Sequence, residues 1–186
     1  MDRNYNSFFQ KKSKLYEIFF EIFPNILCAT PKSASKFFEE NWFIWESYAN
    51  KRTINNSIPG SVFEKLFEIY CYLLDYEIIA QDEYFEDVPL VKPDFLLKNK
   101  SGSYLFLSFK TSLRERWKQA DWEAIYFKEY YPTTDCVLVT FHKDEERNLQ
   151  SKIQDNLLKG LDDSCLATST KFDVILSNFF DDSTRF

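Results

Sequence analysis

Apolar residues in the first fifty positions recur every three to four residues, the spacing of a helix with one buried face. Residues 12–23 carry Leu15, Ile18, Phe19, Ile22 and Phe23 on such a stripe until Pro24 stops it. Residues 33–49 repeat the pattern with Phe37, Phe38, Trp42 and Trp45. Their aromatic density reads as core. A polar stretch over 51–59 follows, and from Ser61 a third stripe runs through Phe63, Leu66, Phe67, Tyr70, Leu73 and Leu74, with Pro59 and Gly60 just before it.

Beyond the third helix the pattern changes to short apolar runs bounded by turn residues. Strands are expected at 76–80, 91–97 and 104–110. Lys98-Asn99-Lys100-Ser101-Gly102 joins the last two into an antiparallel hairpin. Helices over 112–130 and 145–161 flank an apolar strand at 136–141, and 172–176 reads as a final strand. The order predicts an α/β fold, a mixed central sheet flanked by helices with an N-terminal helical extension. One domain over 1–186 is expected, with 1–58 as its helical part and 59–186 as its core.

Composition narrows the classes. With 45% hydrophobic and 19% aromatic residues the chain can fill a core. No apolar run is long enough to span a bilayer, and the polar start resembles no export signal, so a cytoplasmic protein without a membrane is expected. Cys28, Cys71, Cys136 and Cys165 lie far apart without metal-binding spacing and read as reduced, largely buried thiols. The 29 acidic against 23 basic side chains, a net charge of −6, argue against a free-standing reader of DNA, because phosphate neutralisation alone would not hold it there. A catalytic subunit held on DNA by a partner remains compatible.

The candidate chemistry lies in the hairpin. Pro93-Asp94 opens one strand and Ser108-Phe109-Lys110 closes the next. Side chains two apart on a strand share a face, so Ser108 and Lys110 point with Asp94 if the register allows. The product is a carboxylate beside an ammonium. Downstream, Arg116, Gln119, Glu123 and Tyr126 share one face of the following helix. Such a helix, rising about 1.5 Å per residue, can return over the sheet and bring Glu123 level with Lys110. Glu115 follows Ser112 by three, and Glu64 follows Ser61 by three, so both fit capping boxes; Asp121 lies off the shared face. Arg114, Arg116 and Lys118 put positive charge beside the site, where a solvated face and a DNA backbone contact are both open readings. His142, the single histidine, follows an apolar strand and reads as structural or exposed.

These residues resemble the PD-(D/E)XK nuclease superfamily, whose pattern is Pro-Asp on one strand and acid-x-Lys on the next. One departure stands out: Ser108 occupies the second acid's position, and a hydroxyl is a poorer ligand than a carboxylate for a hard dication. A branch of restriction endonucleases, including the EcoRII and NgoMIV types, has Ser-x-Lys and takes the missing acid from the following helix. The segment from Lys110-Thr111 through Arg116-Trp117 and Gln119 to Glu123 is similar to that branch.

The resemblance implies Mg²⁺ as cofactor, Asp94 and Glu123 as its ligands, and Lys110 orienting the attacking water. It further implies Glu64, or Glu68 nearby, as an additional acid facing the metal, and a 5′-phosphate product. One such site cuts one strand. In length and in residues 109–119 the chain resembles small catalytic subunits of heterodimeric Type IIS restriction endonucleases. That implies double-stranded DNA and a larger, DNA-recognising nicking subunit as partners. The alternatives are a free-standing or homodimeric nuclease of repair or restriction, and a non-catalytic scaffold with a degenerate nuclease fold.

Overall fold

The structure is a computed structural model that describes residues 13–85 and 88–181. It divides into two compact units that meet in sequence at Tyr76 and Glu77. No helix among the described residues is long and apolar enough to cross a membrane.

The first unit is helical: α1 (Lys14–Ile22), α2 (Ala34–Ala49) and α3 (Ile58–Leu73), with a short 3-10 turn at Ile26–Cys28. The expected start of α1 at Lys12 lies outside the described residues. The stripes face inward as expected, with Phe19, Phe38, Trp45, Phe63 and Phe67 essentially inaccessible. Phe38 meets the ring of Phe63 edge-on at 5.5 Å. Each such side chain contributes roughly 1.5–3 kcal/mol on burial. Ser13 and Ser33 cap α1 and α2 by accepting from Tyr16 N and Lys36 N.

α3 corrects one expectation. It starts at Ile58, three residues before Ser61, because Pro59 sits in the first turn, where a missing N–H has no helical partner to lose. Ser61 is therefore inside the helix, its hydroxyl donating to Ser57 O at 3.4 Å. No capping box holds Glu64.

The second unit is a five-stranded mixed sheet in the order β1 (Ile78–Ala80), β2 (Phe95–Lys98), β3 (Tyr104–Lys110), β4 (Asp135–Thr140) and β5 (Asp163–Leu166). β1, β2 and β3 pair antiparallel, and β3, β4 and β5 pair parallel. The parallel pairs are joined by α4 (Arg116–Tyr130) and α5 (Lys143–Gln154), and α6 (Thr170–Phe180) follows β5. Leu96, Phe106 and Leu138 form a core on one face of the sheet with Ala120, Ala124 and Phe127 of α4 and Leu149 of α5. On the other, Phe109 packs edge-on against Phe172 of α6 at 6.4 Å.

Several element bounds shift for identifiable reasons. Residues 91–94 are not in the ladder: Pro93 has no N–H to give, and its carbonyl accepts from Asp82 N at 2.9 Å. α4 begins at Arg116 rather than at 112, after a turn in which Arg114 takes a left-handed φ of 33°. Glu115 is then the residue before the helix and makes no side-chain cap; its carboxylate pairs with Lys118. The capping box from Ser112 is not formed. α5 begins two residues earlier than expected and ends at Gln154, where Asn156 turns the chain with φ 55°. The final strand is Asp163–Leu166, and residues 172–176 belong to α6 instead. Phe-Asp-Val-Ile-Leu reads as a strand by propensity, but Phe172, Leu176 and Phe179 are four and three residues apart and share the buried stripe of a helix.

Candidate active site

The register of β2 and β3 sets the geometry. Phe95 faces Leu107 and Leu96 faces Phe106, so continuing the pairing by one residue puts Asp94 opposite Ser108. The Asp94 carboxylate extends the ladder where the β2 main chain has ended: its Oδ2 accepts from Phe109 N at 2.6 Å. The same oxygen accepts from Lys110 Nζ at 2.6 Å and from Ser108 Oγ at 3.4 Å. The pair is withdrawn from solvent, with 4% of the Lys110 side chain and 15% of that of Asp94 accessible. Burying a lysine is costly unless its charge is matched, and Asp94 supplies the match.

Even-numbered positions on this edge, Asp94, Leu96, Phe106, Ser108 and Lys110, look toward the face covered by α4. Ala120, Ala124 and Phe127 fix that helix on the sheet, and this rotation turns Glu123 to the site. Gln119 Nε2 donates to Glu123 Oε1 at 2.7 Å. Glu123 is half-buried, and loss of hydration is the largest influence on it, pushing its carboxyl above the ordinary value. The Gln119 hydrogen bond and the charges of Lys110 and Arg116 pull it down, while Asp94 pushes it up. Asp94, Lys110, Glu123 and Arg116 therefore share one electrostatic neighbourhood.

The other sequence candidates fall as follows. Arg114, Arg116 and Lys118 are all exposed, with Lys118 engaged by Glu115. Tyr126, on the Glu123 side of α4, bonds its hydroxyl to that of Tyr130 at 3.2 Å. Glu64 is half-buried on α3 in the first unit, and Glu68 there pairs with Lys65. Asp121 holds a loop: its Oδ1 accepts from Lys159, Gly160 and Leu161 N at 3.1, 2.8 and 3.0 Å. His142 is exposed at the start of α5. The cysteines are free, and only Cys28 is exposed.

Sequence reasoning missed Asp82 and Glu145. Asp82 follows β1 and reaches solvent, yet neighbouring protein strips part of its hydration and raises its pKa. The charge of Asp94 adds to the rise, and Lys110 and Lys92 oppose it. Glu145 Oε2 accepts from Leu113 N at 2.8 Å and so fixes the turn leading into α4. No motif marks Glu145. Asp82 had one available signal, an acid just past a short strand that neighbours the Pro-Asp strand.

The donors suit a hard cation better than a soft one, since carboxylate oxygens gather here without His or Cys. Among the described residues, no three His, Cys, Asp or Glu side chains are grouped closely enough to hold a metal ion by themselves. Two carboxylates are the number that Mg²⁺ takes when it keeps much of its water, and Asp94 and Glu123 are the two that would hold it. A bound cation would also offset the lost hydration that raises Glu123.

No protein-family model matches the chain, and no curated protein matches it. Among solved structures it is similar to a complex of the restriction endonuclease PspGI with substrate DNA, at 16% identity and a TM-score of 0.54, covering 98% of this chain and 84% of that one. The mixed five-stranded sheet with flanking helices is a restriction-endonuclease fold.

Proposed function

We propose that this chain is a Mg²⁺-dependent endonuclease that hydrolyses DNA phosphodiester bonds, cutting one strand as the small catalytic subunit of a heterodimeric Type IIS restriction enzyme. The observation that carries this reading is the buried Asp94–Lys110 pair at the strand ends, with Glu123 of α4 in its field. The shared fold adds weight, and so does the substrate DNA in the PspGI complex.

Asp94 and Glu123 would hold the cation. When bound, Mg²⁺ supplies a Lewis acid that neutralises charge on the phosphate and lowers the pKa of water. Lys110 is already positioned by Asp94; its N–H donors can orient the attacking water and stabilise the negative charge that develops on the phosphoryl oxygens. Ser108 makes a minor polar contact that helps to orient Asp94. Gln119 fixes the Glu123 rotamer. Arg116 and, further out, Arg114 and Lys118 offer donors to flanking phosphates.

The net charge of −6 gives weak unaided affinity for DNA, so a larger, sequence-reading nicking subunit would supply both affinity and the second cut. The test compares the chain alone with the chain plus the large subunit co-purified from its native operon, on supercoiled plasmid with Mg²⁺. Linear product only in the presence of both supports the subunit role. Sequence-specific double-strand cleavage by the chain alone at nanomolar concentration would favour the second reading, a free-standing or homodimeric nuclease. That reading draws support from the PspGI chain, matched over 84% of its length.

A further inference from the structure

The turn between β3 and α4 joins the strand that carries Lys110 to the helix that carries Glu123. Leu113, in the middle of it, is buried in the same core as Leu149 of α5, and its N–H donates to Glu145 Oε2 at 2.8 Å. Glu145 stands one helical turn before Leu149, so one face of α5 presents both a core residue and the acceptor of the Leu113 N–H. Leu113 O in turn accepts at 2.5 Å from the N–H of Arg116, the first residue of α4. Between these two bonds lies Arg114, held at φ 33°. A left-handed backbone is unfavourable for a residue with a side chain and persists only where the surroundings impose it. The Glu145 bond imposes it from one side and the start of α4 from the other.

Acids are common in the first turn of a helix because they complement its dipole, and α5 has three, Asp144, Glu145 and Glu146. Glu146 accepts from Ser164 Oγ of β5 at 3.3 Å. Glu145 is the one that reaches the β3–α4 turn. What its bond fixes is narrow. Lys110 is held by Asp94 and by the β3–β4 ladder, and the rotation of α4 by Ala120, Ala124 and Phe127 in the core. The turn places Arg114 and Arg116, both exposed, whose guanidinium groups make no hydrogen bond or ion pair among the described residues.

We infer that Glu145 is a positioning residue for DNA, holding the β3–α4 turn so that Arg114 and Arg116 meet the phosphates that flank the cut. The inference rests on the DNA-cleaving reading given above. It runs against charge alone: an acid near bound DNA repels phosphate, so removing it would tighten binding unless the acid serves the turn. The two accounts differ in sign.

The test follows binding of the full-length chain to a fluorescent duplex by anisotropy, in chelator at low ionic strength, for wild type, Glu145→Ala, Glu145→Gln, Arg116→Gln and Asp121→Ala. Glutamine keeps an acceptor at the same reach and loses the charge, whereas Asp121→Ala releases a different loop of the same unit. Glu145→Ala, like Arg116→Gln, is expected to bind about 5-fold more weakly, with a slope of log affinity against log salt shallower by about 1. Glu145→Gln should stay at or above wild-type affinity. Melting curves set the folded fraction, and Asp121→Ala should lose stability without weakened binding, which a merely structural role of Glu145 would not distinguish from Glu145→Ala. Equal affinities for Glu145→Ala and Glu145→Gln, or an equal loss in Asp121→Ala, overturn the role of Glu145 and leave the arginine contacts standing. A wild-type chain that binds no duplex, or an Arg116→Gln chain that binds as wild type does, removes those contacts and the inference with them; the nuclease reading is then decided separately by plasmid cleavage with the large subunit.

Discussion

Asp121 and Glu123 are two residues apart on α4 and meet opposite fates. Asp121 gathers three consecutive backbone N–H groups from residues 159–161. That loop comes so close that a Cβ on Gly160 would lie 2.2 Å from Asp121 O and 2.6 Å from Ile125 N. Among the described residues Glu123 receives the Gln119 amide alone, and lost hydration holds it above its ordinary pKa. Acids that serve the fold are matched within it, as Asp162 is by Lys128 and Cys136 N. The carboxyl kept under-compensated on the sheet side of the helix is the one with capacity to spare for a cation.

The comparison predicts opposite outcomes for neighbouring substitutions. Glu123→Gln should lower Mg²⁺-dependent strand cleavage by about 10²–10³-fold or more, since it removes charge needed to hold the cation. Asp121→Asn, at equal folded concentration and saturating Mg²⁺, should cleave within a few-fold of wild type. A dead Asp121→Asn with an active Glu123→Gln would reverse the assignment of the two acids.

Stability should separate the sites next. Asp94→Ala strands the Lys110 ammonium in the interior and is expected to cost about 3–5 kcal/mol in urea unfolding. Asp94→Leu combined with Lys110→Met should recover much of that loss while remaining inactive. If Asp94→Ala is neutral in urea, the buried pair is not holding the strand ends. Asp121→Ala should cost about 1–3 kcal/mol, because it leaves the N–H groups of the loop without their acceptor.

How much of this was legible in the sequence depends on whether the signal was local. The hairpin was readable because two short apolar runs are joined by turn residues, and strand periodicity put Ser108 and Lys110 on one face, with Asp94 joining them once the register is that of Phe95 with Leu107. Glu123 was picked out by helical rise, by the face it shares with Arg116 and Gln119, and by the resemblance of residues 110–123; the packing of Ala120, Ala124 and Phe127, seen only in the structure, sets the rotation of α4. The β5 strand was missed because Asp-Ser-Cys-Leu is short and polar at its start, and is strand only through its pairing with β4. α6 was misread because aromatic and β-branched residues outweighed a three-and-four spacing. Both capping boxes failed for one reason: a three-residue spacing does not say where the helix begins, and Pro59 and the turn at Arg114 decided that instead. Asp82 came into view only through its tertiary proximity to Asp94 and Lys110, which no local pattern encodes.

The smallest predicted effect concerns pH. Glu123 is raised in the folded chain, so folding favours its protonated form more than the unfolded chain does. The associated stabilisation is present below the ordinary glutamate value and is lost as pH rises through the higher folded value. Metal-free wild type should therefore lose a little stability across that window, and Glu123→Gln should not. The site is partly solvated, so the difference is well under 1 kcal/mol, or at most about 2–4 °C in melting temperature at neutral pH, in favour of the variant. A clear drop in stability for Glu123→Gln would mean that the carboxylate is better compensated than its surroundings indicate.

Linearisation of supercoiled plasmid by the chain in complex with its large subunit, under single-turnover conditions with Mg²⁺, addresses the central claim most directly when intact chain is compared with Lys110→Met. Methionine keeps most of the buried stem and removes the ammonium. The account predicts linear plasmid from the intact complex, nicked circles alone from the Lys110→Met complex, and neither product in chelator. Linear plasmid formed at the normal rate by the Lys110→Met complex, or by the intact complex in chelator, would contradict it.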